Sequence, residues 1–282
     1  MPSPTVNLAS KYATKVDERF TRHSQAGLAL NHDYSFQGVR TVNVYSIPTV
    51  PLNNYSRSGM SRYGVPTDLE NSVQEMTVTR DRAFAFVIDR ADKAQTQMTM
   101  DAGRALARQI REGVVPEYDA YVFRKLALTA CTKGQTATTE ATKANAYELF
   151  LNAQEALGNA NVPDSGRVCF CSYHFANLLK QDSSFMIASQ RSKEMVDKGV
   201  IGEADGVKIV KVPASRLPTG AAFILTHPVA ACAPNQLEDY KIHDNPPGIS
   251  GWLVEGRILY DCFVLKNKAY AIWYHGTAVS NG

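Results

Sequence analysis

The chain of 282 residues is long enough for one large domain or two, and 44% hydrophobic residues suffice for a core. Its formal net charge of +3, from 30 basic and 27 acidic residues, is too small for a dedicated nucleic-acid-binding protein. No run of about 18 apolar residues predicts a membrane span, and the first ten residues lack the apolar stretch of a signal peptide. The five cysteines have no framework spacing and are expected to be reduced thiols in a cytoplasm.

The first third of the chain predicts extended arms. Residues 1–40 have little periodicity, which is typical of an extended arm or a frayed terminus. Residues 41–45 and 75–89 are strand-like and flank a long polar stretch with glycines and prolines, which indicates a two-stranded arm. Because an isolated hairpin is only marginally stable in water, we expect this arm to rest on another surface.

Two helices are predicted next. Asp92 is a good N-cap, and apolar residues recur every fourth position from Met98 to Ile110, which predicts a helix from Ala94 that ends near Gly113. Pro116 is then expected in the first turn of a second helix.

A polar linker, "CTKGQTATTEATK" at residues 131–143, separates these helices from a compact α/β pattern. There we expect a helix closed by Gly158, a strand "GRVCFCS", and a short helix capped by Ser172. Further strands follow, and the tail reads as paired strands.

The cluster from Asp89 to Lys93 allows two interpretations. Paired carboxylates beside cations can perform acid–base chemistry. Alternatively, Asp92 caps a helix and Asp89 pairs with a base at the end of a strand. Nothing nearby supplies a nucleophile or a phosphate-binding glycine loop, so the structural interpretation is favoured.

Two further sets of residues combine side chains that could form a site. Cys169, Cys171 and His174 could form a thiol nucleophile or a soft-metal site, but residues 169 and 171 share one face of a strand, which favours buried structural thiols. No P-loop, HExxH or GxSxG motif is present, and we predict no catalytic residue, no cofactor site and no metal site. The other set, which is ordinary on a surface strand, comprises Glu238, Asp239 and His243.

The order of these elements resembles the major capsid proteins of tailed bacteriophages, which have the Hong Kong 97-like fold. The similarity is greatest in residues 41–127, in the phrases "TVNVYSIPTVPLNNY", "RYGVPTDLENSVQEMTVTRDRAFAFVIDRADKAQTQ" and "VVPEYDAYVFRKLA". It continues more weakly in "RVCFCSYHFANLLK", "KGVIGEADGVKIVKVP" and "FILTHPVA". The resemblance implies an α+β fold with an N-terminal arm, an extended β-hairpin called the E-loop, a long spine helix, a peripheral domain and an axial domain.

The resemblance also implies domain boundaries. These are an N-terminal arm at 1–40, the E-loop at 41–86, the spine helix and first part of the peripheral domain at 87–130, the axial domain at 131–237, and the returning strands of the peripheral domain at 238–282.

A structural role without catalysis is what the resemblance implies. Subunits would form pentamers and hexamers of an icosahedral shell around double-stranded DNA, located in the virion capsid and assembled in the bacterial host cytoplasm. Implied partners are other copies of the chain, a separate scaffolding protein, a portal protein, weakly and non-specifically bound DNA, and an optional decoration protein. The alternatives are an encapsulin-like bacterial shell protein, a cysteine-dependent enzyme on the α/β lobe, and a nucleic-acid-binding module that uses the arm arginines.

One departure from the family concerns the arm. Some members form covalent crosslinks through an E-loop lysine, but no lysine occurs between Lys15 and Lys93 here. We therefore expect arginines to hold the arm to neighbouring subunits, because a planar guanidinium binds carboxylates with two hydrogen bonds. The arm arginines are Arg57, Arg62, Arg80 and Arg82. The residues expected to contact neighbouring subunits are Tyr55, Arg57, Arg62, Tyr63 and Arg80.

Overall fold

The computed structural model describes most of the chain. The described residues are 24–34, 41–46, 49–66, 68, 72–91, 101–182 and 200–279. Most of the predicted N-terminal arm lies outside them, as do Asp92, Lys93 and Met98.

The predicted two-stranded arm is formed by β1 (Thr41–Ser46) and β2 (Ser72–Thr77), which pair antiparallel. The stretch 75–89 was expected to be one strand of this arm, but it divides at Val78 and Thr79. Its second part, β3 (Arg80–Asp89), leaves the arm and joins a different sheet. The arm is therefore one short ribbon that continues into the body of the molecule through two residues.

β3 is the edge strand of an antiparallel three-stranded sheet with β11 (Gly251–Tyr260) and β10 (Asn235–Asp244), in the order β10-β11-β3. Alternate residues of β3 face a helix. They form an apolar cluster with residues of β11, in which Ile88 of β3 and Val254 of β11 are buried. This alternation is the pattern expected of a sheet with one covered face.

The first of the two predicted helices continues beyond its expected end at Gly113. Asp101 has an extended backbone and caps α1 (Ala102–Gln109). The start of the expected helix at Ala94 lies outside the described residues. The expected break at Gly113 is absent, because α1 continues through a π turn (Ile110–Val114) into α2 (Val115–Thr132). Pro116 has no N–H to donate to residue 112, and the wider π turn just before it, in which the Val115 N–H bonds to the Ile110 carbonyl, keeps the axis continuous.

The second half of the chain forms a six-stranded sheet. Its strands are β4 (Thr136–Ala137), β5 (Val168–Ser172), β6 (Val200–Ala204), β7 (Val207–Val212), β8 (Ala221–Thr226) and β13 (Ile272–Gly276). Their order in the sheet is β4-β13-β8-β5-β7-β6. β5 runs parallel to β7 and antiparallel to β8. A separate two-residue pair joins β9 (Ala231–Cys232) to β12 (Phe263–Val264).

Helices cover both faces of this sheet. Phe170 and Ile224 pack with Val122 and Phe123 of α2 on one face. The other face packs against α3 (Ala146–Asn159) and α4 (Tyr173–Gln181). Because both faces are covered, every residue of β5 is buried, as is usual for the central strands of such sheets.

Of two predicted helix termini, one is confirmed and one is wrong. Ser172 caps α4 as predicted, since its side chain accepts a hydrogen bond from the Phe175 N–H. Gly158, however, does not terminate α3; it lies in the last turn, and the left-handed residue beyond the helix is Asn161 with φ of 57°. Asparagine tolerates this region because its short polar side chain bonds locally.

The first described residues are fastened to α2 by a buried carboxylate. Asp119 accepts hydrogen bonds from the Ser24 hydroxyl at 2.6 Å and from the backbone of Gln25 and Ala26. Its charge is balanced by Arg216 at 2.8 Å, and both side chains of this ion pair are buried. These residues belong to the N-terminal arm predicted at 1–40, and Ala26, Ala29 and Leu30 lie in the core, so the prediction of an extended arm or frayed terminus is wrong for this part.

Candidate assembly surface

Exposed apolar side chains concentrate on the arm. Of the fourteen exposed large hydrophobic side chains among the described residues, eight lie between Thr41 and Thr77. Leu52 and Met60 are fully exposed, and contiguous exposure of this kind marks an interaction site. We call residues 49–66 the arm tip; its exposed large hydrophobic residues are Val50, Leu52, Tyr55, Met60, Tyr63 and Val65.

The arm tip is held together by local hydrogen bonds. The Ser56 N–H donates to the Arg62 carbonyl at 3.0 Å, and the Gly64 N–H donates to the Ser61 carbonyl at 3.1 Å. These bonds bring the rings of Tyr55 and Tyr63 edge to face, with centroids 5.0 Å apart. The two tyrosines therefore form one exposed aromatic pair, which supplies a large apolar area at little cost in conformational entropy.

Four of the five predicted contact residues meet at this tip. Tyr55, Arg57, Arg62 and Tyr63 are all exposed, and the Arg62 side chain donates back to the Gly59 carbonyl. Arg80 lies elsewhere, at the start of β3, where it is half-buried and bound within its own subunit. Spacing in sequence could not separate these two situations.

Arg80 belongs to a charged network at the root of the arm. The Glu117 carboxylate binds Arg80 at 2.9 Å and Arg82 at 2.8 Å. Burial acts to raise the pKa of Glu117, but the hydrogen bonds and charges of the two arginines outweigh it and lower the pKa. The Arg80 guanidinium also lies over the Tyr121 ring, 4.6 Å from its centroid.

The body of the chain provides the seat on which the arm rests. Met76 and Val78 are completely buried against Cys232 and Leu265. Beside them the Gln74 amide donates to the Val264 carbonyl and accepts from the Lys266 N–H, both at 2.9 Å. The expectation that the arm rests on another surface is therefore confirmed for its base. The sequence marked neither Gln74 nor its partners, because one amide in a polar stretch carries no pattern.

The arrangement around Cys169 and Cys171 does not support a thiol nucleophile. Both side chains are buried against α3 and α4 in the core. Burial raises the pKa of Cys169 well above its ordinary value, and that of Cys171 to about 12. Because the thiolate is the reactive form, these cysteines are structural. His174 is exposed at the start of α4.

The charged residues at the end of β3 make structural contacts, but the contacts of Asp89 and Arg90 differ from those predicted. Asp89 does not pair with a base in the described contacts; its carboxylate caps the following turn by accepting from the Ala91 N–H at 2.7 Å. Arg90 makes the ion pair instead, with Asp244 at 3.4 Å, and lies over the Trp252 ring.

The acid–histidine set on β10 is likewise engaged in pairs. Asp239 binds Lys241 at 2.8 Å, and His243 lies 3.3 Å from Glu255. Across the described ranges, no three His, Cys, Asp or Glu side chains come together as a metal site. Within the same ranges, no helix combines the length and apolarity that a membrane span requires.

Comparisons with solved structures show similarity over nearly the whole chain. A structure from Mycobacterium phage Che8 superposes with a TM-score of 0.78 at 17% identity and covers 96% of this chain and 98% of that chain. The capsid structure of cyanophage P-SCSP1u gives 0.71 at 11% identity, covering 96% and 93%. The mature capsid of bacteriophage PhiM1 gives 0.71 at 12% identity, covering 95% and 91%. No family model and no curated protein matches the sequence.

At these identities the likeness establishes the fold. The expected α+β, Hong Kong 97-like fold is confirmed by structural neighbours that include phage capsids.

Proposed function

We propose that this chain is the major capsid protein of a tailed bacteriophage. Its subunits form pentamers and hexamers that close an icosahedral shell around double-stranded DNA, and it acts by assembly and not by catalysis. The observation that carries the proposal is the arm tip, an exposed apolar and aromatic surface on a ribbon whose base is seated in the core. Such a surface is favourable only if another molecule covers it.

Neighbouring subunits supply that cover in the proposal. Tyr55 and Tyr63 are the aromatic anchors, because tyrosine and tryptophan dominate the energetics of interfaces. Arg57 and Arg62 add charge-assisted hydrogen bonds to carboxylates of the neighbour. Arg80 acts indirectly, by holding the root of the arm to Glu117 within its own subunit. Each contact is repeated around closed rings, so modest individual energies add up.

Further partners follow from the same function. A separate scaffolding protein, a portal protein and an optional decoration protein complete the particle, which is assembled in the host cytoplasm. The near-neutral balance of 30 basic and 27 acidic residues suits weak, non-specific contact with packaged DNA.

The decisive experiment is the molar mass of the purified full-length protein, measured by light scattering on a sizing column, with negative-stain images of the leading fraction. Rings, shells or tubes far above 31.0 kDa are expected. A chain that stays monomeric, both alone and after co-expression with its scaffolding protein, would overturn the proposal.

A further inference from the structure

Two residues join the second strand of the arm to the body of the molecule. β2 ends at Thr77 and β3 begins at Arg80, so Val78 and Thr79 form the junction on this side, whereas residues 35–40 before β1 lie outside the described residues. Val78 is completely buried in the seat of the arm. Thr79 is held by the carboxylate of Asp261, one oxygen of which accepts from the Thr79 N–H at 3.1 Å and from its hydroxyl at 2.8 Å.

The second oxygen of Asp261 faces the body. It accepts from the Tyr121 hydroxyl at 2.7 Å and from the Cys262 N–H at 2.8 Å. Burial, together with the hydrogen bond to Asp261, raises the pKa of Tyr121, so its hydroxyl remains a donor at neutral pH. One buried carboxylate therefore ties the junction of the arm to α2 and to the turn after β11.

We propose that Asp261 is a positioning residue that fixes the direction in which the arm leaves the subunit. This inference rests on the proposed function, since the direction of the arm matters only if the arm contacts a neighbouring subunit. Six strand residues span about 20 Å, so a rotation of about 10° at the junction moves the end of the ribbon by about 3.5 Å. Such a displacement is enough to break side-chain packing between subunits.

Two hydrogen bonds of Asp261 allow a role in positioning the arm to be distinguished from a role in subunit stability alone. Thr79 and Tyr121 each give one hydroxyl hydrogen bond to Asp261, but only Thr79 belongs to the arm. Thr79→Val removes the bond on the arm side and keeps a β-branched side chain. Tyr121→Phe removes the bond on the body side and keeps the ring, so it is the matched control.

Two readouts test the proposal in the full-length protein. In unassembled subunits, hydrogen exchange of residues 41–46 and 72–77 is expected to accelerate about three- to tenfold in Thr79→Val and to stay unchanged in Tyr121→Phe. In assembly reactions, Thr79→Val is expected to lower the ratio of closed to aberrant particles by a similar factor, about three- to tenfold, while Tyr121→Phe forms uniform shells. Asp261→Ala, which removes both acceptor oxygens and therefore both contacts to Thr79, should exceed Thr79→Val in both readouts.

Every outcome bears on the idea. If the two hydroxyl variants change arm exchange equally, or if neither changes it, Asp261 is only a stabilising group and the positioning role is overturned. If exchange separates them as expected but wild-type protein never assembles, the positioning role stands and the proposed capsid function fails. Equal particle distributions for both variants in an assembling protein would also overturn the positioning role.

Discussion

The buried ion pair between Asp119 and Arg216 permits a quantitative prediction. The exposed fractions of these side chains are 0% and 4%, and Asp119 also accepts bonds from Ser24, Gln25 and Ala26. Asp119→Ala leaves a buried guanidinium without its counter-charge and three donors without their acceptor. Breaking such a pair from one side destabilises a protein by about 3–5 kcal/mol.

The measurement is urea unfolding of the unassembled subunit, followed by tryptophan fluorescence and circular dichroism. For a chain of this size, a loss of about 3–5 kcal/mol in the free energy of unfolding also corresponds to a fall in the melting temperature of about 6–20 °C in a thermal scan. Release of the first described segment should also make cleavage by a protease near residue 24 faster than in wild type.

A double variant distinguishes the charge imbalance from general damage to the core. Asp119→Leu with Arg216→Met replaces both charges by apolar groups, which is often neutral or even stabilising for a buried pair. We expect this double variant to be more stable than Asp119→Ala. A loss below about 1 kcal/mol for Asp119→Ala would refute the reasoning, because it would place the pair in an environment that solvates the unpaired arginine.

Three further predictions concern the arm tip and the core. Leu52→Ser should reduce the fraction of assembled protein about tenfold without lowering subunit stability, whereas Leu151→Ser, an exposed leucine on α3, should leave assembly unchanged; equal effects of the two would contradict a specific role for the tip. Arg57→Ala combined with Arg62→Ala should lower the melting temperature of assembled particles and make it insensitive to salt, and unchanged melting would argue against arginine contacts. Burial lowers the pKa of His275, so the unfolded state binds more protons and subunit stability should fall as the pH drops below about 6.5. This decline in stability should flatten in His275→Gln, and an identical pH profile in that variant would refute the assignment of the decline to His275.

The arm and the compact α/β lobe were predictable from local patterns. Strand-like flanks around a polar stretch located the arm, since alternation and turn residues are properties of adjacent positions. The cap at Ser172 was predictable for the same reason, because its acceptor and the Phe175 N–H are three residues apart. The absence of an E-loop lysine also follows directly from the sequence.

The errors occurred where long-range contacts outweighed local preference. Gly113 is an ordinary helix-ending signal, yet a π turn carries the helix through it into α2, where Pro116 lies in the first turn as predicted. The strand pattern at 75–89 gave no sign of division at Val78 and Thr79, because the groups that divide it, Asp261 and the apolar seat, are more than 150 residues away.

By itself, the sequence determined the order of elements, the absence of a lysine from the arm and the resemblance to phage capsid proteins. Only the tertiary structure decided which candidate residues share a surface. It placed Tyr55, Arg57, Arg62 and Tyr63 together on the exposed tip and gave Arg80 to an internal network with Glu117. The physical reason is that periodicity reports the environment of neighbours along the chain, whereas an ion pair or a hydrogen bond depends on groups that only folding brings together.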